Sequence, residues 1–382
     1  MTAGHPGCDT STMPGTYPHV RVSGGPRERG RQYGGQARER VERSVALYRR
    51  VFEHYAGWSW DRVVSHAREY RPAIAAAHPR YLEERAGIAE GAGLAVDDIL
   101  AINVRTEVMF AAVARQAAGE CTAFAVLPAG TAGGHPLIGQ NWDWKPHCTG
   151  TLVVLEAEQD EGPAYVTVVE AGLLAKTGFN SAGIGLVTNA LISDQDRGEP
   201  GLPYHVVLRA ILDARNLPQA LDAVTRHPRA SAANYLVASR EGMAVDIEAA
   251  PGDHSRVWLT WPDPDALVHA NHYLADTGLR DVMRWYSPDS PFRQQRASSL
   301  LSEHRGRVHP AMLEAMLRDH VNHPAGVCTH PDPSMPELEQ DMSVASVLYD
   351  LESRTMWIAD GQPCEVEYRR VDYAGFLGTP AG

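Results

Sequence analysis

The sequence predicts an α+β protein whose helices and strands are segregated into layers. Three observations carry this. Residues 27–118 have helical periodicity almost throughout. At residue 121 the texture changes to short apolar runs joined by Gly-rich turns. From there the order is strands, two helical stretches, strands and a closing hairpin, which is not the strand–helix alternation of a parallel sheet.

Residues 1–26, rich in Gly, Pro, Ser and Thr, read as a flexible tail without the basic and apolar regions of a signal peptide. Next, Val41, Val45, Tyr48, Val51 and Phe52 recur at helical spacing with arginines opposite. "HPRYLEERAGIAEGAGL" reads as a helix ended by its glycines, and "AVDDILAINVRTEVMFAAVAR" as a helix with Asp97 at its N-cap. "CTAFAVLPAGTAGGHPLIGQNWDW" holds two apolar runs around a Gly-rich turn, a hairpin signal. "GTLVVLEAEQDEGPAYVTVVEAG" is a second strand–turn–strand, and "GFNSAGIGLVTNALIS" a third pair. "PYHVVLRAILDARNLPQALDAVTRH" returns to helix; "SAANYLVASREGMAVDIEAAP" and "VWLTWPDPDALVHANHYL" return to strand. Residues 292–320 read as helical, and a hairpin closes the chain.

Bulk properties narrow the function. The chain has 382 residues, 44% hydrophobic and 21% charged, enough for one large domain or two medium ones. A net charge of −12 argues against a nucleic-acid partner. No run of 18 apolar residues offers a membrane span. Five cysteines at irregular spacing, without C-x-x-C, read as reduced thiols of a cytoplasmic protein. The 17 histidines are scattered, often before proline, so no metal site is expected. Lys145 and Lys176 are the only lysines, a bias attributed to codon usage. There is no G-x-S-x-G and no H-E-x-x-H, and Ala175 in "GLLAKTG" stands where a P-loop needs glycine.

What survives is Cys121, at the start of an apolar strand. Asn141 and Asp143 in "GQNWDW" share one strand face, and the hairpin is expected to bring that face beside Cys121. A carboxylate next to a thiol calls for an intervening positive charge. Cleavage of the Glu120–Cys121 bond would supply one: a new α-amine, with an ordinary pKa of about 7.7–8.0, beside its own thiol. Asparagines in the apolar stretches "VTNAL" and "VHANHYL" need partners, and an amide aimed at a developing oxyanion is one use for them.

The series CTAFAV, LIGQNWDW, EAGLLAKTGFNSAGIGLVTNAL and VHANHYL resembles the acyl-coenzyme A:6-aminopenicillanic acid acyltransferase family of autoproteolytic acyltransferases and hydrolases, over about residues 27–370. The resemblance implies a four-layer αββα sandwich with two antiparallel sheets, one structural domain overall. It implies self-cleavage into associated α (1–120, helical from 27) and β (121–382) chains. Cys121 would be the nucleophile, Asp143 the catalytic aspartate and Asn271 the oxyanion asparagine. Asn189 and Ala190 would border the oxyanion hole, and Asn141 is counted with them. Two departures stand out: Glu120 precedes the cysteine where relatives often have glycine, and Thr329 stands where penicillin acyltransferases carry arginine.

The expected substrate is a small-molecule amide or thioester, with no cofactor beyond acyl-coenzyme A as a co-substrate. Water is preferred as acceptor, because Thr329 removes an anion clamp. Homo-oligomerisation is left open. Two alternatives are an uncut enzyme and a scaffold with an inert Cys121.

Overall fold

The computed structural model describes residues 16–113 and 121–378; Cys8 and Glu120 lie outside them. Fourteen strands are described: β1 His19–Val22, β2 Cys121–Val126, β3 Leu137–Trp144, β4 Leu152–Ala157, β5 Tyr165–Glu170, β6 Thr177–Asn180, β7 Ile184–Ala190, β8 Ala233–Ser239, β9 Met243–Ala249, β10 Val257–Thr260, β11 Ala266–His269, β12 Met342–Asp350, β13 Thr355–Ala359 and β14 Arg369–Asp372. They form an eight-stranded sheet, ordered β1-β4-β5-β6-β7-β8-β9-β10, and a six-stranded sheet, ordered β11-β2-β3-β12-β13-β14.

The sheets pack face to face through β2, β3, β7 and β8. Helices Tyr204–Leu212 and Leu217–Thr225 cover the outer face of the large sheet, and the N-terminal helices Pro26–Gln36 and Arg38–Ala56 also pack on its strands. Helices Ser290–Glu303 and Pro310–Leu317 cover the small sheet. This is the four-layer αββα order. Central strands are thus buried on both faces, which is why β2, β4 and β5 read as continuous apolar runs rather than alternating ones. Polar residues inside this core must find partners across it. Gln140 of β3 does so: its Oε1 accepts from the Thr188 N–H of β7 at 2.8 Å, tying the two sheets together near the site.

Three expectations need correction. The tail 1–26 contains β1, which pairs parallel with β4, so the large sheet is not wholly antiparallel. Tyr17 is buried and donates its hydroxyl to the Val344 carbonyl, which explains why the segment is held. Asp97 is not an N-cap: it lies in the first turn of Val96–Asn103, after Ala95, and pairs with Arg68 at 2.7 Å.

Nor do all the glycines of "AGIAEGAGL" end their helix. Gly93, at φ +70°, does; Gly87 and Gly91 lie inside Pro79–Ala92. They face Gly30 and Gly34 of helix Pro26–Gln36, so closely that a Cβ on any of the four would sit 2.0–2.2 Å from a backbone oxygen of the other helix. The buried Arg29–Glu84 pair, 3.0 Å apart, crosses the same contact. Gly87→Ala should therefore destabilise despite the better helix propensity of alanine. Overpacking against backbone costs about 1–3 kcal/mol, against about 1 kcal/mol gained from propensity. Urea denaturation should give a lower midpoint with an unchanged m-value; an unchanged midpoint would refute the tight contact.

Candidate active site

Cys121 opens β2, between edge strand β11 and β3, and it is almost wholly buried. Its main chain is held from three sides. The nitrogen donates to Asn271 Oδ1 at 2.7 Å. The carbonyl accepts from Asn189 Nδ2 and from Arg293 Nη1, both at 2.9 Å. Arg293, buried in helix Ser290–Glu303, also reaches Thr122 Oγ1 at 3.0 Å and Asn271 Oδ1 at 3.1 Å. Cys121 borders a narrow cleft, with Phe110, Trp142, Lys176, Ala190 and Tyr204 among its walls.

Burial pushes the Cys121 thiol up to about 11; the nearby Lys176 charge pulls the other way. Lys176 Nζ donates to the Tyr204 hydroxyl at 2.9 Å and sits 5.5 Å from the Trp142 ring centroid. Burial lowers this ammonium to about 8. Its hydrogen-bond partner is a phenol rather than a carboxylate, so its charge remains directed at the cleft.

The register corrects one expectation. Cys121 pairs with Trp142, and Thr122 with Asn141, so Asn141 and Asp143 face the opposite side of the small sheet from the thiol. Asp143 accepts from Ser343 Oγ at 2.5 Å and from Thr329 Oγ1 at 3.2 Å. Burial raises its carboxyl to about 7, and Arg293 opposes that rise. Arg293 thus connects Asp143 electrostatically to the Cys121 main chain. Asn141 lies outside the cleft, in correction of its assignment to the oxyanion set. Its Nδ2 donates to the Leu317 and Val327 carbonyls, 2.8 Å each, because its face looks toward the outer helices.

The structure brings Cys121, Asn189 and Asn271 into direct contact and puts Ala190 on the cleft wall, where its carbonyl accepts from Asn271 Nδ2 at 3.0 Å. Glu120 is outside the described residues. Sequence reasoning missed Lys176, Arg293, Ser343 and the part played by Thr329. Only Lys176 left a signal, as one of two lysines in an arginine-rich chain.

The layers define the fold, and family membership makes the chain an enzyme of amide-cleaving acyl transfer. The chain belongs to the family described as acyl-coenzyme A:6-aminopenicillanic acid acyl-transferase, whose model matches residues 131–365. That span includes Asp143, Asn189, Asn271 and Arg293 and begins after Cys121. The chain is 28% identical over 314 residues to the acyl-coenzyme A:6-aminopenicillanic-acid-acyltransferase 40 kDa form of Emericella nidulans, covering 81% of this chain and 84% of that protein. Among solved structures it is similar to a point mutant of conjugated bile acid hydrolase from Clostridium perfringens (TM-score 0.44, 10% identity, 67% of this chain and 93% of that one). It is also similar to penicillin V acylase from Agrobacterium tumefaciens (TM-score 0.40, 13% identity, 69% and 89%). Among the described residues no helix is long and apolar enough to cross a membrane.

Proposed function

We propose that the chain cuts itself before Cys121 and then cleaves small-molecule N-acyl amides through a Cys121 thioester. The observation that carries this reading is the grip on Cys121: nitrogen on Asn271, carbonyl on Asn189 and Arg293, thiol in the cleft near Lys176. Such a fixed residue is preorganised for attack. Self-cleavage would also answer an electrostatic imbalance. In the uncut chain Asp143 is a buried carboxyl held at about 7, and a new α-ammonium at Cys121 would stabilise its ionised form.

In turnover the α-amine takes the thiol proton, and the thiolate adds to the amide carbonyl. The C–N bond breaks as the ammonium returns its proton to the leaving amine. Water, or an amine in a transferase reaction, then attacks the thioester and restores the thiol. Asn271 positions the Cys121 nitrogen through Oδ1, and its Nδ2, now on the Ala190 carbonyl, turns to donate to the developing oxyanion. Lys176 supplies positive charge to the thiolate. Met109, Phe110, Trp142 and Trp144 favour an apolar acyl group.

Water is the preferred acceptor. The family relationship makes acyl-coenzyme A and a β-lactam amine the competing pair. Unpaired thiols at Cys121 and Cys148 fit a reducing cytoplasm. The experiment is a panel of N-acyl amides incubated in H₂¹⁸O, with and without acyl-coenzyme A, read by product mass. Release of labelled acid is expected. Absence of any acyl product, together with no thioester mass on Cys121, would defeat the proposal.

A further inference from the structure

Away from the cleft, four side chains that the sequence disperses converge on one point. His320 follows helix Pro310–Leu317; Cys328 and His330 flank Thr329 in the loop before β12; Cys364 follows β13. One ligand atom from each lies within 4.8 Å of all the others. Cys328 Sγ is 3.6 Å from Cys364 Sγ and 3.6 Å from His330 Nε2. Cys364 Sγ is 3.4 Å from His330 Nε2, and the two histidine Nε2 atoms are 3.0 Å apart.

Hydrogen bonding does not account for this cluster. An imidazole nitrogen offers either one proton or one lone pair, yet His330 Nε2 faces two sulfurs and a second Nε2 at once. A cation at the centre satisfies all of them. Bond lengths of about 2.3 Å to sulfur and 2.0–2.1 Å to nitrogen give tetrahedral edges of about 3.8 Å for S···S, 3.5 Å for N···S and 3.4 Å for N···N. The observed separations lie close to these edges, with the two nitrogens nearest each other in both.

We propose that His320, Cys328, His330 and Cys364 bind one Zn²⁺ in a closed tetrahedral site that fixes Thr329 against Asp143. Two thiolates and two neutral imidazoles balance the ion's charge, and binding releases the two thiol protons. Thiolate with imidazole in tetrahedral array selects zinc over harder cations. Four protein ligands leave no open position, so the ion is structural and takes no part in acyl transfer. The Gln362 amide lies behind the His330 ring, 2.9 Å from Nδ1; with Nε2 on the metal, Nδ1 carries the ring proton, and the amide turns its oxygen to accept it. The exposed His320 gives the ion an entry side. Because Thr329 sits between two ligands and its hydroxyl reaches Asp143, the metal loop is linked directly to the candidate aspartate.

The test is elemental analysis of the full chain after gel filtration in metal-free buffer. One zinc per chain is expected in the wild type and in Cys148→Ser, with loss in Cys364→Ser. Should Cys364→Ser fail to fold, wild-type protein reconstituted with Co²⁺ is read instead. Intense tetrahedral ligand-field bands with thiolate-to-cobalt charge transfer support the site. Removing zinc with a chelator should lower Tm, and Zn²⁺ but not Mg²⁺ should restore it. No stoichiometric zinc together with no tetrahedral cobalt spectrum would overturn the proposal. So would a Cys328–Cys364 disulfide in protein purified anaerobically. Neither result bears on whether Cys121 is the nucleophile.

Discussion

Cys121→Ala is expected to remain a single chain and to lose turnover by a factor on the order of 10⁶, the scale of nucleophile removal in an enzyme with covalent catalysis. Wild-type protein should run as two fragments on a denaturing gel, residues 1–120 and 121–382, with the second opening Cys-Thr-Ala-Phe on N-terminal sequencing. Both effects follow from one cause. The sulfur that attacks the carbonyl of residue 120 is the sulfur that later attacks substrate, and alanine offers neither reaction a nucleophile. The variant should keep the fold, since the contacts that hold this residue come from its main chain: the nitrogen on Asn271, the carbonyl on Asn189 and Arg293. Circular dichroism and Tm near wild type are therefore part of the expectation. The outcomes also separate the two halves of the proposal. An uncut wild type that loses activity in Cys121→Ala would keep the nucleophile and remove the α-amine as its base. Full activity in the variant would end the assignment altogether.

What the sequence made legible has a physical pattern. Short strands bounded by Gly-rich turns, such as "LIGQNWDW", and amphipathic helices, such as Arg38–Ala56, declare themselves locally, so the layers could be read. That Cys121 opens a buried strand was legible from the local pattern. Contacts across layers were not. Nothing local in "PFRQQRASSL" marks Arg293 as the cation that spans Cys121, Asn271 and Asp289. Asn141 and Asp143 were correctly placed on one face. Which face the thiol shares depended on register, and a one-residue difference exchanges inside for outside. Gly87 and Gly91 were misread because a glycine that ends a helix and a glycine that admits a second helix look alike until the partner is known. Cys328 and Cys364 sit far apart in the chain, too widely and irregularly spaced to match a metal motif, and only the closing hairpin brings them together.

Lys176→Met is expected to lower kcat/KM at neutral pH by at least about tenfold while leaving the fold intact. Methionine preserves the apolar stem against Trp142 and Tyr204 and removes the charge together with its hydrogen bond to the Tyr204 hydroxyl. That charge favours the Cys121 thiolate against a burial effect that pushes the thiol to about 11. Without it the thiol should rise further, and each unit reduces the thiolate fraction about tenfold, equivalent to about 1.4 kcal/mol. The alkaline inflection of the pH–rate profile should therefore move to higher pH. A lysine that merely filled space would leave the profile where it was. Stability supplies an independent reading with a definite sign. Burial holds Lys176 at about 8, against 10.5 when exposed, so between those values the unfolded chain binds more protons than the folded one. Folding stability from this group consequently rises as pH climbs from about 8 to 10.5, by on the order of 3 kcal/mol. Lys176→Met lacks that rise, so its stability advantage over wild type should be greatest below pH 8 and should shrink toward pH 10. Denaturation midpoints for both proteins across that window decide the matter: parallel curves would mean that the Lys176 ammonium is not the perturbed group, and its role toward Cys121 would fall with it.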